Sequence, residues 1–227
     1  MYLSRVLLND RKRETLHAIA SPQLIHGAVE SCFGYTPDSE GNRKRLLWRI
    51  DNIADKQYLL LLSEGIPKLT SLVQQFGYPD IQPQSQTKAY ASFLERLCNG
   101  QRWQFRLRAN PVHSSMKEAN ETTRRGKIYA HVTPEQQNQW LMSRTTASGF
   151  DIKQNELNLV HSEWKKFRKN NQVNREVVLR VATFEGVLHI TDAEKFRYSL
   201  TAGIGRAKAY GCGLLTIMHI PGITHDG

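Results

Sequence analysis

Cysteine is scarce, with three residues in 227, at positions 32, 98 and 212. Their odd number, wide spacing and lack of any CxxC pair exclude a disulfide framework and a zinc site, and predict reduced packing thiols. Long apolar runs are missing as well. The longest uninterrupted aliphatic stretch lies in YLLLLS at 58 to 63, far short of a membrane span, and the opening MYLSRVLLND lacks the length and cleavage site of a signal peptide. A soluble, intracellular, cytoplasmic protein with no membrane partner is the expectation. No DxD, HxH or HExxH arrangement occurs, so the clustered ligands of a hydrolytic metal centre are absent, and neither metal nor other cofactor is expected. Nothing matches the K/R-G-F/Y-G/A-F-V-x-F/Y strand with which RNA-recognition modules stack unpaired bases, so readout by that route is unsupported.

Acidic residues are also in deficit. Against 21 Asp and Glu stand 31 Lys and Arg, a formal charge of +10 and a pI near 9.6, which points to nucleic acid, an anionic membrane or an acidic partner. Hydrophobic residues make up 40%, enough for one large domain or two small ones.

The same order of elements is legible twice. In the first half, periodicity predicts a strand over 2 to 8, a helix over 21 to 34, strands over 43 to 50 and 57 to 63, a helix over 67 to 76 and a last strand near 86 to 94. In the second half it predicts a strand over 102 to 109, a capped helix over 133 to 148 and strands near 157 to 167 and 175 to 190. A helix opened by the capping box TDAE (191 to 194) and a strand over 213 to 220 complete it. Each half reads β-α-β-β-α-β, an α+β fold of two tandem ferredoxin-like domains with antiparallel sheets. The boundaries follow: an N-terminal domain over 1 to 88, a linker over 89 to 101, a C-terminal domain over 102 to 220 and a tail over 221 to 227.

Within the first predicted helix, SPQLIHGAVESCFG, Ser21 suits the N-cap and Pro22 the first helical position. Leu24, Ile25, Ala28, Val29, Cys32 and Phe33 fall in one half-cylinder that should face a core. His26 lies off that stripe on a polar flank with Gln23 and Glu30, and Glu30, one turn on, can hold an imidazolium charge. Exposed helix histidines commonly have no chemical role, so this position alone decides nothing. His17, His113 and His131 are less well placed for proton transfer.

Positive charge falls in runs. In QRWQFRLRA the period of two puts Arg102, Gln104, Arg106 and Arg108 on one strand face and Trp103, Phe105 and Leu107 on the other. The cationic face is either solvated or covered by an anion. WKKFRKNNQVNR (164 to 175) sets Lys165, Lys166, Arg168 and Lys169 beside the turn-forming Asn170 and Asn171, which describes a basic hairpin able to bind phosphates or a loop that simply stays wet. RKRLLWR (43 to 49) and RRGK (124 to 127) are weaker basic runs. In GIGRAKAYGCG (203 to 213), Gly203, Gly205, Gly211 and Gly213 surround Arg206 and Lys208. The loop is either a phosphate cradle or a helix C-cap followed by a tight turn. Its spacing fits neither GxGxxG nor a Walker loop, which argues against nucleotide binding.

Without a metal, a phosphodiester can be cut by a nucleophile inside the substrate, and RNA supplies its 2′-hydroxyl. Attack on the adjacent phosphate yields a 2′,3′-cyclic phosphate and a free 5′-hydroxyl, helped by a general acid or base such as histidine. The motifs MYLSRVLLN, the SPxxxH helix, RLLWRID, FRLRANP (105 to 111), TPEQQNQWL (133 to 141), FEGVLHITD (184 to 192) and GIGRAKAYGCGLL (203 to 215) run over nearly the whole chain. Through them the sequence resembles the Cse3/CasE family of CRISPR repeat-processing endoribonucleases of type I-E systems. The resemblance implies two ferredoxin-like domains and metal-independent cleavage at the 3′ base of a CRISPR repeat RNA hairpin. It further implies retention of the product and association with other subunits of the type I-E surveillance complex. It places the family's catalytic histidine on His26 and its RNA-gripping hairpin on 164 to 175. It also implies a tyrosine three residues before the histidine, where this chain has Gln23, whose neutral amide orients a group but takes no proton. Either His26 works with less help, another group such as Tyr35 substitutes, or cleavage is slow; a hairpin-binding subunit without strong catalysis is the alternative.

Overall fold

The computed structural model describes residues 1–34, 46–115, 126–168 and 176–220. The chain starts with β1 (Tyr2–Leu7), α1 (Arg13–Ala20), α2 (Pro22–Ser31), β2 (Leu47–Ile53), β3 (Lys56–Ser63), α3 (Thr70–Phe76) and β4 (Ser85–Ala89). These strands form one antiparallel sheet in the order β2-β3-β1-β4, the ferredoxin-like order. Register follows burial. Val6 and Ser4 of β1 face Leu59 and Leu61 of β3, and all four are buried, which forbids a one-residue slip. Ile25, Ala28 and Val29 of α2 and Leu72, Val73 and Phe76 of α3 seal the same core.

The second half runs α4 (Ala91–Glu95), β5 (Arg102–Ala109), β6 (Val112–Ser115), β7 (Lys127–Ala130), α5 (Pro134–Met142), β8 (Phe150–Asp151), β9 (Leu157–Arg168), β10 (Glu176–Ile190), α6 (Ala193–Ala202) and β11 (Leu215–Met218). Its antiparallel sheet follows β11-β5-β10, with the far edge of β10 shared by β9 along most of its length and by β8 at its end. Trp103, Phe105 and Leu107 point into the core as the alternation requires. Thr133 and Gln136 close a reciprocal capping box on α5, with Pro134 in its first turn.

Several expectations shift. The final strand of the first half ends at Ala89 and the chain turns into α4, whose Leu94 joins Tyr90 and Leu97 in the core of the second half. The predicted helix over 133 to 148 stops at Met142, where Arg144 folds back onto the Trp140 carbonyl. α6 is capped by Asp192, which accepts from the Lys195 amide, and the TDAE threonine takes no part. α1, β6, β7 and β8 add to the elements expected from the sequence. Arg43 to Arg45, Arg124, Arg125, Lys169 to Arg175 and the tail over 221 to 227 lie outside the described residues.

The halves share packing. Leu47 and Leu62 of the first sheet belong to the same buried cluster as Leu107, Leu214 and Leu215 of the second. Arg49, at 1% exposure, crosses between them. Its guanidinium bonds both carboxylate oxygens of Asp51 at 2.7 and 2.6 Å, the carbonyls of Arg106 and Leu214 at 2.8 Å each, and the Thr216 hydroxyl at 2.6 Å.

Candidate active site

α2 follows its sequence rules closely, with two differences. Ser21 occupies the N-cap position and Pro22 the first turn, but the serine side chain makes no capping bond. Leu24, assigned to the core stripe, is 42% exposed, while Ile25, Ala28, Val29 and Cys32 are buried. The polar flank is not open. The turn Lys208–Tyr210 packs on it, and the Tyr210 ring stands edge-on to His26 with centroids 6.5 Å apart at 69°. His26 keeps 21% exposure and its Nε2 lies 3.5 Å from Glu30 Oε1. The glutamate is therefore placed to orient the ring. Gln23, one turn earlier, is half-buried, and its Oε1 has no hydrogen-bond partner among the described residues.

Two sequence features that lie far apart in the chain therefore meet: the helix histidine and the glycine-rich loop. The glycines have packing reasons. Gly211, at φ +76°, lies so close to Trp48 that a Cβ would sit 2.7 Å from the ring, and Gly205 is pressed likewise against Trp140. The amides of Gly203, Ile204, Tyr210 and Gly213 are bonded to carbonyls within the protein, so they do not converge on a phosphate. Lys208 Nζ bonds the Ala202 carbonyl at 2.7 Å, which ties the loop to the end of α6. Arg206 is the loop's exposed cation.

The other cationic residues divide. Arg102 pairs with Glu156 at 2.6 Å, Arg108 with Glu163 at 3.0 Å, and Arg106 with both Glu185 and, at 3.3 Å, Asp51. All three strand-face arginines thus have carboxylates inside the chain. On the β9–β10 ribbon, Lys166 and Arg168 are exposed, while Lys165 is half-buried with Glu163 3.6 Å away. Phe167 points to the opposite side, buried, and meets the Tyr210 ring at 4.8 Å and 63°. Tyr210 therefore stands between the His26 ring and the basic end of the β9–β10 ribbon, at Phe167. Sequence reasoning missed this role, because nothing local links residue 210 to either partner. Tyr35 lies outside the described residues, and among those described no three His, Cys, Asp or Glu side chains gather as a metal-binding group.

A sequence profile for CRISPR-associated proteins matches residues 1–219. The chain belongs to that family. Within the family it stands with Cse3 and CasE. It is 27% identical over 224 residues to the CRISPR-associated endoribonuclease Cse3 of Thermus thermophilus, covering 96% of this chain and 99% of that protein. It is 24% identical over 223 residues to the CRISPR system Cascade subunit CasE of Escherichia coli K12, covering 96% and 98%. A solved structure of Thermus thermophilus Cse3, bound to an RNA representing a pre-cleavage complex, superposes with a TM-score of 0.74 at 25% identity, covering 96% and 98%. Among the described residues no helix is long and apolar enough to cross a membrane.

Proposed function

We propose that this family member is a metal-independent endoribonuclease that grips the stem of a CRISPR repeat RNA hairpin and cuts at the hairpin's 3′ base. The ribose 2′-oxygen attacks the adjacent phosphorus, the P–O5′ bond breaks, the 2′-hydroxyl proton is taken up and a proton is delivered to the departing 5′-oxygen. The products are a 2′,3′-cyclic phosphate and a 5′-hydroxyl. His26 carries one of these proton transfers, Glu30 holds its ring, and Gln23 orients a reacting group through its amide. Lys165, Lys166, Arg168 and Lys169 bind the stem phosphates, and Arg206 of the glycine loop binds RNA phosphate beside the stem. The cut RNA stays bound as a guide, and the protein joins the other subunits of a type I-E surveillance complex, as the name of the Cascade subunit suggests.

The observation that carries this reading is the placement of one partly exposed imidazole, beside a carboxylate, linked through Tyr210 to the basic end of the β9–β10 ribbon. His26→Ala in EDTA should lower the single-turnover rate on the cognate repeat by about 10²- to 10⁴-fold with stem affinity unchanged; cleavage at the wild-type rate sinks the assignment. A 2′-deoxy substitution at the scissile nucleotide should abolish cutting in the same assay. Gln23 favours a second reading, a subunit that holds the hairpin without cutting it, and intact repeat RNA after prolonged incubation with wild-type protein selects that one.

A further inference from the structure

Away from His26, the β6–β7 hairpin, α5 and the start of the glycine loop enclose an open cleft of about 600 Å³. Its wall carries His113, His131, Trp140, Arg144, Gly205 and Arg206, and among the described residues no Asp or Glu lines it. That sets it apart from the β5 face, where each arginine has a carboxylate. Arg144 lies over the Trp140 ring, 4.1 Å from Cζ to centroid, and among the described residues bonds the Trp140 carbonyl and the Ser143 hydroxyl, at 2.7 and 3.0 Å. Neither Arg144 nor Arg206 has an ion-pair partner among the described residues. Trp140 itself is 3% exposed and its Nε1 is buried with no hydrogen-bond partner among the described residues. Opposite it, the exposed His113 ring stacks on Tyr129 at 5.8 Å and 25° and touches His131 at 4.8 Å. Burial, His113 and Arg144 together push the His131 imidazole below its ordinary value, as expected of a base in a cationic neighbourhood. The cleft thus offers guanidinium groups without carboxylates and a platform of flat rings, the pair of features that unpaired nucleotides use.

Its position adds direction. Arg206 on the cleft wall and Tyr210 against His26 belong to one loop, four residues apart, so their Cα atoms lie within about 14 Å. We propose that this cleft holds an unpaired nucleotide of the RNA adjoining the stem, its phosphate on Arg144 and Arg206 and its base against His113, a role that rests on the RNA-processing reading above. The sequence motif for stacking on a sheet face is absent, and the platform is built instead on a short hairpin and a helix.

The test uses the full chain and four labelled RNAs. These are the repeat hairpin alone, the hairpin with four unpaired nucleotides on its 5′ side, the hairpin with four on its 3′ side and a 2′-deoxy scissile position, and an unpaired hexa-adenylate. One of the two extensions should tighten wild-type binding about tenfold over the stem alone. Arg144→Gln and His113→Ala should each remove most of that gain and weaken the hexamer, with stem-only affinity within about twofold of wild type. His113 is on the surface, so its variant stands even where Arg144→Gln fails to fold. Extensions that add nothing to wild type, or a gain that survives His113→Ala and a folded Arg144→Gln, overturn the cleft. A hairpin that fails to bind while the hexamer binds through Arg144 overturns the hairpin reading and leaves the cleft standing; failure of both RNAs overturns the two together.

Discussion

Arg49 uses all five of its guanidinium N–H groups, at 1% exposure, on partners from both sheets. Burial pushes its pKa down and Asp51 opposes that shift. Such a group is expensive to orphan, because removing it strips the 5%-exposed Asp51 carboxylate of its bidentate partner, leaving it Arg106 at 3.3 Å, and takes a donor from the Arg106 and Leu214 carbonyls. Arg49→Ala should therefore cost about 3–5 kcal/mol of unfolding free energy in a urea titration, with Arg49→Met/Asp51→Leu recovering much of it. The cysteines make a second residue-scale case. Burial lifts the Cys32 thiol to about 11 and Cys212 to about 12, whereas Cys98 is exposed. Iodoacetamide at about pH 8, near the ordinary thiol pKa, should modify the native protein once, at Cys98, and mass spectrometry of the peptides reads this directly. A second native adduct contradicts the packing of Cys32 or Cys212.

At the scale of elements, the turn Lys208–Tyr210 decides how the helix bearing His26 meets the basic ribbon. It is framed by left-handed backbone at Ala207 and Gly211 and holds Tyr210 between His26 and Phe167 through ring edges. Tyr210→Phe keeps those edges and should cleave within about threefold of wild type, whereas Tyr210→Ala removes them and should slow cleavage by about 10²-fold, the cost of a displaced catalytic group. Equal loss in both would assign the work to the hydroxyl.

These elements also show what a sequence can carry. The helix bearing His26, the box that starts α5 and the alternation of β5 are local patterns, so period and cap chemistry locate them. The carboxylates that occupy Arg102, Arg106 and Arg108 come from Glu156, Glu185 and Glu163, 54, 79 and 55 residues away. No periodicity links them, and a strand face that reads as open cation is internally paired. The same distance hid the cover on the polar flank of α2. α4 went unread because a single turn leaves no period to detect.

For the whole molecule, the excess of ten positive charges sets how binding responds to salt. If Lys165, Lys166, Arg168 and Lys169 hold stem phosphates, changing all four to Ala should flatten the plot of log affinity against log salt by up to about 0.9 for each phosphate no longer neutralised. An unchanged slope would assign the stem phosphates to cations off the ribbon. The doubled βαββαβ order was legible across the full chain because it rests on many weak local signals that agree. How the two halves meet was not, since it depends on one buried guanidinium and a few shared leucines.

The pin at Arg49 has a practical corollary for protein engineering. Because it reaches the backbone of β5 and the segment leading into β11, neither half is a portable cassette. A chimaera that takes residues 1 to 88 from one relative and the remainder from another inherits two ends of a lock cut for different keys, and it should melt early and process RNA poorly even where every catalytic side chain is kept.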